Sequence, residues 1–220
     1  GQTLSVRDSV LTGAAGATFD IEVGLPGRFN AANALGAWTA LRAAGIPADT
    51  LTTAMADVHV PGRMEIIDEG QDFTAIVDYA HSPDAVERVI SAVIPRGKRI
   101  VVLGCGGDRD REKRYAMGDV AAAGADILIV TDDNPRSEDP AAIRAAMLAG
   151  ANAVGGDIRE IGDRREAIAT AVAIASPGDI LLLLGKGHEP GQEVAGVVTP
   201  FDDRDELRAA LRTRREGGRA

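Results

Sequence analysis

The sequence predicts an α/β protein built on a doubly wound, mostly parallel sheet, preceded by a smaller piece of different texture. Three observations carry this. Past Pro61-Gly62, short runs rich in Val, Ile and Leu alternate with longer stretches of helical periodicity. Those runs do not alternate apolar with polar residues, so they read as strands covered on both faces, as in a parallel sheet. Before Pro61 the texture is instead short alternating pieces separated by Gly, followed by helical segments. At about 100–200 residues per domain, 220 residues make one large domain or one domain plus a piece of another.

The elements follow in order. Residues 1–25, with Thr18-Phe19-Asp20-Ile21-Glu22-Val23 as the clearest stretch, read as antiparallel strands. Residues 30–44 place Ala34, Leu35, Trp38 and Leu41 at helical spacings of three and four, and Gly45 supplies the stop. A short helix follows at 48–56, and Pro61-Gly62 is the best linker candidate. Strands are then predicted at 74–77, 99–103, 126–131, 158–161 and 179–184, separated by helices at 84–93, 113–123, 140–151 and 164–175. Each crossover is long enough for the usual right-handed connection. Residues 193–201 alternate loosely, as an antiparallel edge would. Residues 203–212 read as a closing helix before a frayed Arg/Gly tail.

Composition excludes several roles. The 33 Asp+Glu against 24 Lys+Arg give a net charge of −9, which opposes non-specific binding to a nucleic-acid backbone. Aromatics are only 3%, too few for a base-stacking surface. A small anionic substrate is still allowed, since a few convergent Arg side chains set a local field. The single cysteine, Cys105, fits a reducing compartment. No apolar run reaches the ~18 residues of a membrane span, and no signal peptide is visible, so a cytoplasmic location without membrane or nucleic-acid partners is expected. The chain starts without Met, in what reads as the middle of a β-region, so a piece of a longer protein is expected.

A doubly wound sheet places its ligand site at the C-terminal ends of its strands, and the polar loops of this chain fall there. Gly104-Cys105-Gly106-Gly107 lacks the G-x-G-x-x-G spacing of a dinucleotide turn, and a plain tight βα turn explains the glycines as well. Arg109 projects beside it with Asp108 and Asp110 available to orient it; the duller reading is a surface ion pair. In Asp133-Asn134-Pro135-Arg136, Asp139 and Pro140 supply a helix start that does not need Arg136, leaving a stiffened guanidinium suited to a carboxylate. In Gly185-Lys186-Gly187-His188-Glu189 there is no phosphate-loop frame. Lys186 reads as a solvated loop residue, His188 as a structural hydrogen-bond partner, and Glu189 as a possible holder of an ammonium. Asp78 and His81 bracket a turn, where Asp78 either accepts from ribose hydroxyls or caps the following helix. Asn30 and Asn33 open the first helix, where Asn is a routine cap. The three histidines have no ligand spacing, so no metal site built by this chain is expected.

Taken together, Gly27-Arg28-Phe29-Asn30-x-x-Asn33-Ala34, Pro61-Gly62-Arg63-Met64-Glu65, Asp78-Tyr79-Ala80-His81-x-Pro83, Gly104-Cys105-Gly106-Gly107-Asp108-Arg109-Asp110, Asp133-Asn134-Pro135-Arg136 and Gly185-Lys186-Gly187-His188-Glu189 stand in the order seen in the Mur ligases. The sequence resembles the diaminopimelate-adding branch of that family over about residues 18–212. The resemblance implies a cytoplasmic step of peptidoglycan synthesis. ATP would phosphorylate the D-glutamyl carboxylate of UDP-MurNAc-L-Ala-D-Glu, and the amine of meso-diaminopimelate would attack the acyl phosphate. It also implies a Rossmann-like C-terminal domain at 63–220 and the last part of a central ATPase domain at 1–62. The missing N-terminal and central domains would be its partners.

Residue by residue, the resemblance puts Asn30 and Asn33 near the adenine, Arg63 at the ATP phosphates as the catalytic arginine, and Asp78 on the ribose with His81 beside the nucleotide. It puts Arg109, Asp133, Asn134, Arg136, Gly185 and Glu189 in the diaminopimelate pocket. Diaminopimelate differs from lysine by one distal carboxylate, which Arg136 would grip; lysine-adding relatives lack this arginine. A sister ligase adding lysine and a non-catalytic binding module are the alternatives. Two departures stand out. Tyr115 occupies a place where many relatives have Pro. These 220 residues also hold no Gly-Lys-Thr/Ser phosphate loop, no Mg²⁺ ligands and no carbamoylated lysine of the family, so they are expected not to catalyse ligation alone.

Overall fold

Unbroken apolar runs give parallel pairing here, and most of the second half of the chain is arranged around that fact. The computed structural model describes residues 2–7, 18–25 and 27–217. It divides into two units, residues 1–60 and 61–220, which are taken separately.

In the first unit, β1 (Gln2–Arg7) pairs antiparallel with β2 (Thr18–Val23), in the register Gln2↔Val23 to Arg7↔Thr18. Residues 8–17, part of the stretch read as strands, lie outside the described residues. Helix α1 (Arg28–Ala43) and helix α2 (Ala48–Ala56) pack on this pair through Trp38, Leu51 and Met55 against Ile21 and Val23. The N-cap of α1 is Gly27, so Asn30 and Asn33 sit inside the helix and do not cap it. At the other end, Ile46 N donates to Leu41 O at 3.1 Å and Gly45 N to Arg42 O at 3.0 Å, with Gly45 at φ +93°, a Schellman stop. The buried stripe is Ala31, Ala34 and Trp38; Leu35 and Leu41 are exposed, contrary to the simple periodic reading.

The second unit holds a six-stranded sheet in the order β3-β4-β8-β5-β6-β7. Its strands are β3 (Glu65–Ile67), β4 (Thr74–Asp78), β5 (Arg99–Cys105), β6 (Ile127–Asp132), β7 (Asp157–Glu160) and β8 (Ile180–Leu184). All neighbours pair in parallel except β3, which runs antiparallel to β4 at the edge. This three-residue strand carries too short a pattern to be read from sequence. Residues 193–201 are not an edge of the sheet: β9 (Gly191–Val194) and β10 (Val197–Pro200) form their own antiparallel hairpin.

Helices α3 (Pro83–Ser91), α4 (Lys113–Gly124), α5 (Pro140–Val154), α6 (Arg164–Ile174) and α7 (Asp203–Gly217) complete the unit. Asp139 accepts from Ala141 N at 3.0 Å with Pro140 at the first helical position, as predicted. Ser82, not Asp78, caps α3, accepting from Ala85 N at 3.4 Å. One sheet face buries Ala75, Val77, Val102, Ile129 and Leu183 against α6 and α7, and the period of two sends their neighbours Ile76, Val101 and Val130 to the other face. Helix α7 runs on to Gly217, so residues 213–217 are not a frayed tail; 218–220 lie outside the described residues. No helix among the described residues is long and apolar enough to cross a membrane.

One ion pair lies wholly inside this unit. Arg164, the first residue of α6, and Asp203, the first of α7, are both 0% exposed and share two hydrogen bonds of 2.7 Å. The same guanidinium donates to Leu184 O at 2.9 Å and Asp132 O at 3.3 Å, the last carbonyls of β8 and β6. Removing one member of such a pair leaves an uncompensated buried charge, which costs about 3–5 kcal/mol. Asp203→Ala is therefore expected to lower the unfolding free energy in urea by about that amount. Arg165→Ala, which breaks an exposed pair with Glu206, should cost about 1 kcal/mol or less. Equal losses in the two variants would contradict the assignment.

Candidate functional site

The C-terminal ends of β4, β8, β5 and β6 face the same way, and the four loops that follow them carry most of the residues singled out in the sequence. Their centre is Lys186, which is 0% exposed instead of solvated. Its ammonium donates to Asn134 Oδ1 at 3.1 Å and Gly191 O at 2.6 Å, with Asp133 Oδ1 at 3.8 Å and Glu189 Oε2 at 3.6 Å. Burial pushes this ammonium below its ordinary pKa, and the Asp133 carboxylate opposes the shift. Asn134 bridges three partners: its Oδ1 also accepts from Glu193 N at 3.0 Å, and its Nδ2 donates to Glu189 Oε2 at 2.7 Å. Gly185 has φ +114°, and a Cβ there would stand 2.7 Å from Asp133 Oδ2. Asp133, Asn134, Gly185 and Glu189 are thus brought together.

A second cluster surrounds Tyr79. The Arg63 guanidinium lies 4.3 Å from its ring centroid, the His81 ring stands edge-on at 4.6 Å, and the His188 ring is tilted at 5.7 Å. His81 Nδ1 is 2.9 Å from Tyr79 O. The Tyr79 hydroxyl donates to Glu189 Oε1 at 3.4 Å, so this ring joins the Arg63–His81 group to the Asp133–Glu189 group. His188 is exposed and makes no side-chain hydrogen bond among the described residues. Asp78 is buried, with its oxygens accepting from Met64 N at 2.7 Å and Ala80 N at 2.8 Å. Burial raises the Asp78 pKa against those two amides. Just upstream, Gly62 (φ +66°) packs so closely on the lysine loop that a Cβ would come within 2.3 Å of His188 N.

Arg136 stands at the outer side of the first cluster. Its φ of +54° is unusual for a residue with a side chain, and it is held by backbone bonds from Arg136 N to Glu193 O (2.9 Å) and from Ala195 N to Arg136 O (2.7 Å). Its Nη1 donates to Gly107 O at 2.7 Å, and its Nε is 3.6 Å from Glu193 Oε2. The glycines before it answer to this crossing of loops and not to a tight turn. None of Gly104, Gly106 and Gly107 has positive φ, but a Cβ on Gly107 would lie 1.9 Å from Pro135 O.

Arg109 is not drawn into the site. It is exposed, and its one hydrogen bond among the described residues is to Asp108 O at 3.4 Å. The acids expected to orient it are committed elsewhere: Asp108 accepts from Ser137 N and Oγ, and Asp110 from Glu112 N. It forms no surface ion pair among the described residues either. Asn30 (buried) and Asn33 (exposed) belong to the first unit. Tyr79, Lys186, Glu193 and Arg164 were missed as contributors. Tyr79 and Lys186 carry a sequence signal, since each lies inside one of the family-like motifs; Glu193 and Arg164 are tied to the site by folding alone. No group of three or more His, Cys, Asp or Glu among the described residues is placed to hold a metal ion.

The arrangement offers acid oxygens at Asp133 and Glu189 beside one partly exposed guanidinium, a complement to a zwitterion. Comparison with known proteins agrees on the family of the fold. A family model described as Mur ligase, glutamate ligase domain, matches residues 62–187. A protein of Corynebacterium glutamicum named UDP-N-acetylmuramoyl-L-alanyl-D-glutamate--2,6-diaminopimelate ligase is 52% identical over 202 residues, covering 88% of this chain and 39% of the relative. One of the same name from Streptomyces coelicolor is 54% identical over 195 residues, covering 86% and 38%. The chain thus spans about two fifths of the length of these relatives. A solved structure of that ligase name aligns with TM-score 0.69 and 38% identity over 98% of this chain and 43% of its own. Folylpolyglutamate synthase of Mycobacterium tuberculosis, at 22% identity and TM-score 0.63 over 84% of this chain and 42% of its own, shares the fold.

One acid braces two of the loops. Glu138 accepts from Asp108 N (2.6 Å) and from both Arg114 amino groups (2.8 and 3.1 Å), with Arg111 at 3.1 Å. The Arg114 hydrogen bonds, then the Asp108 amide, hold its pKa down to about 2, from an ordinary 4.5. A carboxyl lowered on folding stabilises fully above its ordinary value and loses that contribution as pH falls through the folded one. Thermal melts should therefore fall more steeply between pH 4.5 and about 2 for the native chain than for Glu138→Gln. Parallel pH profiles would contradict the brace.

Proposed function

The chain belongs to the Mur ligase family, and from that premise we propose that it is the amino-acid-delivering portion of an ATP-dependent ligase that joins meso-diaminopimelate to UDP-MurNAc-L-Ala-D-Glu in peptidoglycan synthesis. Residues 63–220 act as the C-terminal domain of that enzyme, and 1–62 as the last part of its central ATPase domain. The observation that carries the reading is the placement of Arg136: its Nη1 is held from behind by Gly107 O, its other edge faces only Glu193 Oε2 at 3.6 Å among the described residues, and it leaves the same loop as Asp133, whose neighbour Asn134 holds Glu189. Diaminopimelate presents a distal carboxylate next to an ammonium, and those charges match the guanidinium and the two acids.

In this reading ATP phosphorylates the D-glutamyl carboxylate, and the diaminopimelate amine displaces phosphate from the acyl phosphate to form the amide. The residues of this chain bind and orient. Glu189 and Asp133 receive ammonium groups, Asn134 and Gly185 shape the pocket floor, and Arg136 fixes the distal end. Holding the amine in place supplies effective concentration, the main catalytic contribution of such a domain. Arg109, exposed at the loop tip, reaches the ligand only after the loop moves. On the nucleotide side Arg63 meets the phosphates and Asp78 the ribose, with His81 beside the nucleotide and Asn30 and Asn33 near the adenine. With two Asp78 lone pairs already taken by backbone amides, its contact to a ribose hydroxyl uses the remaining ones. The family's Mg²⁺ finds no ligand cluster among the described residues.

Calorimetric titration of the chain with meso-diaminopimelate and with lysine tests this. The native chain should bind diaminopimelate more tightly than lysine, because lysine brings no distal carboxylate to Arg136. Arg136→Ala should lose diaminopimelate affinity by about 10²-fold or more, and Arg136→Lys should not rescue it, since lysine lacks the planar fork. Unchanged affinity in Arg136→Ala would overturn the assignment, and equal binding of lysine would favour the lysine-adding branch.

A further inference from the structure

Glu193 lies outside every motif discussed above, yet its carboxylate is the one that approaches Arg136. Nη1 of Arg136 is turned back to Gly107 O at 2.7 Å, which leaves the Nε/Nη2 edge as the face for a bidentate carboxylate. Glu193 Oε2 stands 3.6 Å from Nε on that edge, beyond hydrogen-bond reach, and no described residue is hydrogen-bonded to Nη2. Both side chains are partly exposed, Arg136 at 22% and Glu193 at 38%, so the pair is weak and open to exchange. The backbone of Glu193, by contrast, is locked: its N–H donates to Asn134 Oδ1 at 3.0 Å and its carbonyl accepts from Arg136 N at 2.9 Å. Gln192 next to it donates to Asp133 O at 2.8 Å. The β9–β10 hairpin therefore presents this side chain beside the guanidinium from a fixed backbone.

We propose that Glu193 is a specificity-determining counter-ion, competing with an incoming ligand carboxylate for the Nε/Nη2 edge of Arg136. This rests on the reading of Arg136 as the carboxylate-binding residue and adds the group that sets how selective it is. A ligand that brings a carboxylate must displace Glu193 from that edge. A ligand without one, such as lysine, leaves Glu193 in place, so Arg136 keeps a partner and the penalty that rejects lysine is softened. Glu193 thereby moderates both the affinity for diaminopimelate and the discrimination against lysine. An acid so placed could instead hold the distal ammonium, but its approach to the guanidinium edge favours competition.

Glu193→Gln removes the charge and keeps the backbone bonds of the hairpin, so the variant should fold as the native chain does. Calorimetric titration of the native chain, Glu193→Gln and Arg136→Ala with meso-diaminopimelate and with lysine separates the readings. The expected result is diaminopimelate bound roughly two- to fivefold tighter by Glu193→Gln, with no gain for lysine and a gain that shrinks as salt is raised. If Arg136→Ala abolishes diaminopimelate binding while Glu193→Gln leaves it unchanged or weakens it, competition is overturned and the Arg136 reading stands; weakening would make Glu193 an ammonium ligand. If diaminopimelate does not bind the native chain, or binds Arg136→Ala equally well, the Arg136 reading fails and the competition fails with it.

Discussion

The second unit depends on one buried ion pair. Arg164 and Asp203 open α6 and α7, and their bidentate contact fixes both helix starts beneath the ends of β8 and β6, whose last carbonyls the same guanidinium takes up. Desolvating two charges is expensive, and four hydrogen bonds in good geometry are what offset it. A hydrophobic pair could give comparable stability. What the ion pair adds is direction: it positions the carbonyl ends from which the Asp133 and Lys186 loops depart.

Above that pair the charges are layered. Lys186 sits next, fully buried, among Asp133, Glu189 and the side-chain oxygen of Asn134. Asn134 converts the lysine's position into geometry for others, since the same oxygen fixes Glu193 N and its amide nitrogen fixes Glu189. Loops able to pass this closely need bare backbone. Gly107 under Pro135 and Gly62 under His188 are two of the places where a methyl group would force the loops apart. The outermost layer, Arg136 with Glu193, is partly exposed and is the part free to exchange partners.

The net charge of −9 is no obstacle to an anionic group in this setting. The acids are largely spent on helix caps, ion pairs and loop braces such as Glu138, and a single guanidinium decides the local field at the outer edge of the site. With Asp133 on the same loop and Glu193 beside it, that edge suits a ligand carrying both signs of charge.

The sequence by itself determined the sheet. Four apolar runs without alternation, those of β4, β5, β6 and β8, are buried by parallel pairing with helices on both faces, whereas the fifth, β7, is a partly exposed edge; Pro140 and Asp139 mark a helix start through local chemistry. It also marked the loops, since polar residues after a strand end have few other places to stand. Short or irregular pieces were not legible: β3 is too brief for a pattern, and the β9–β10 hairpin is read as a sheet edge because alternation does not say what a strand pairs with. Tertiary structure alone decided which polar residues are partners. Lys186 looks like a solvated loop lysine until Asp133 and Asn134, some fifty residues away in sequence, close over it. Arg109 looks held by its neighbouring acids until the fold turns Asp108 and Asp110 to other donors and leaves the guanidinium exposed. Burial and pairing of charges depend on contacts between distant loops, and local sequence fixes only the elements that carry those loops.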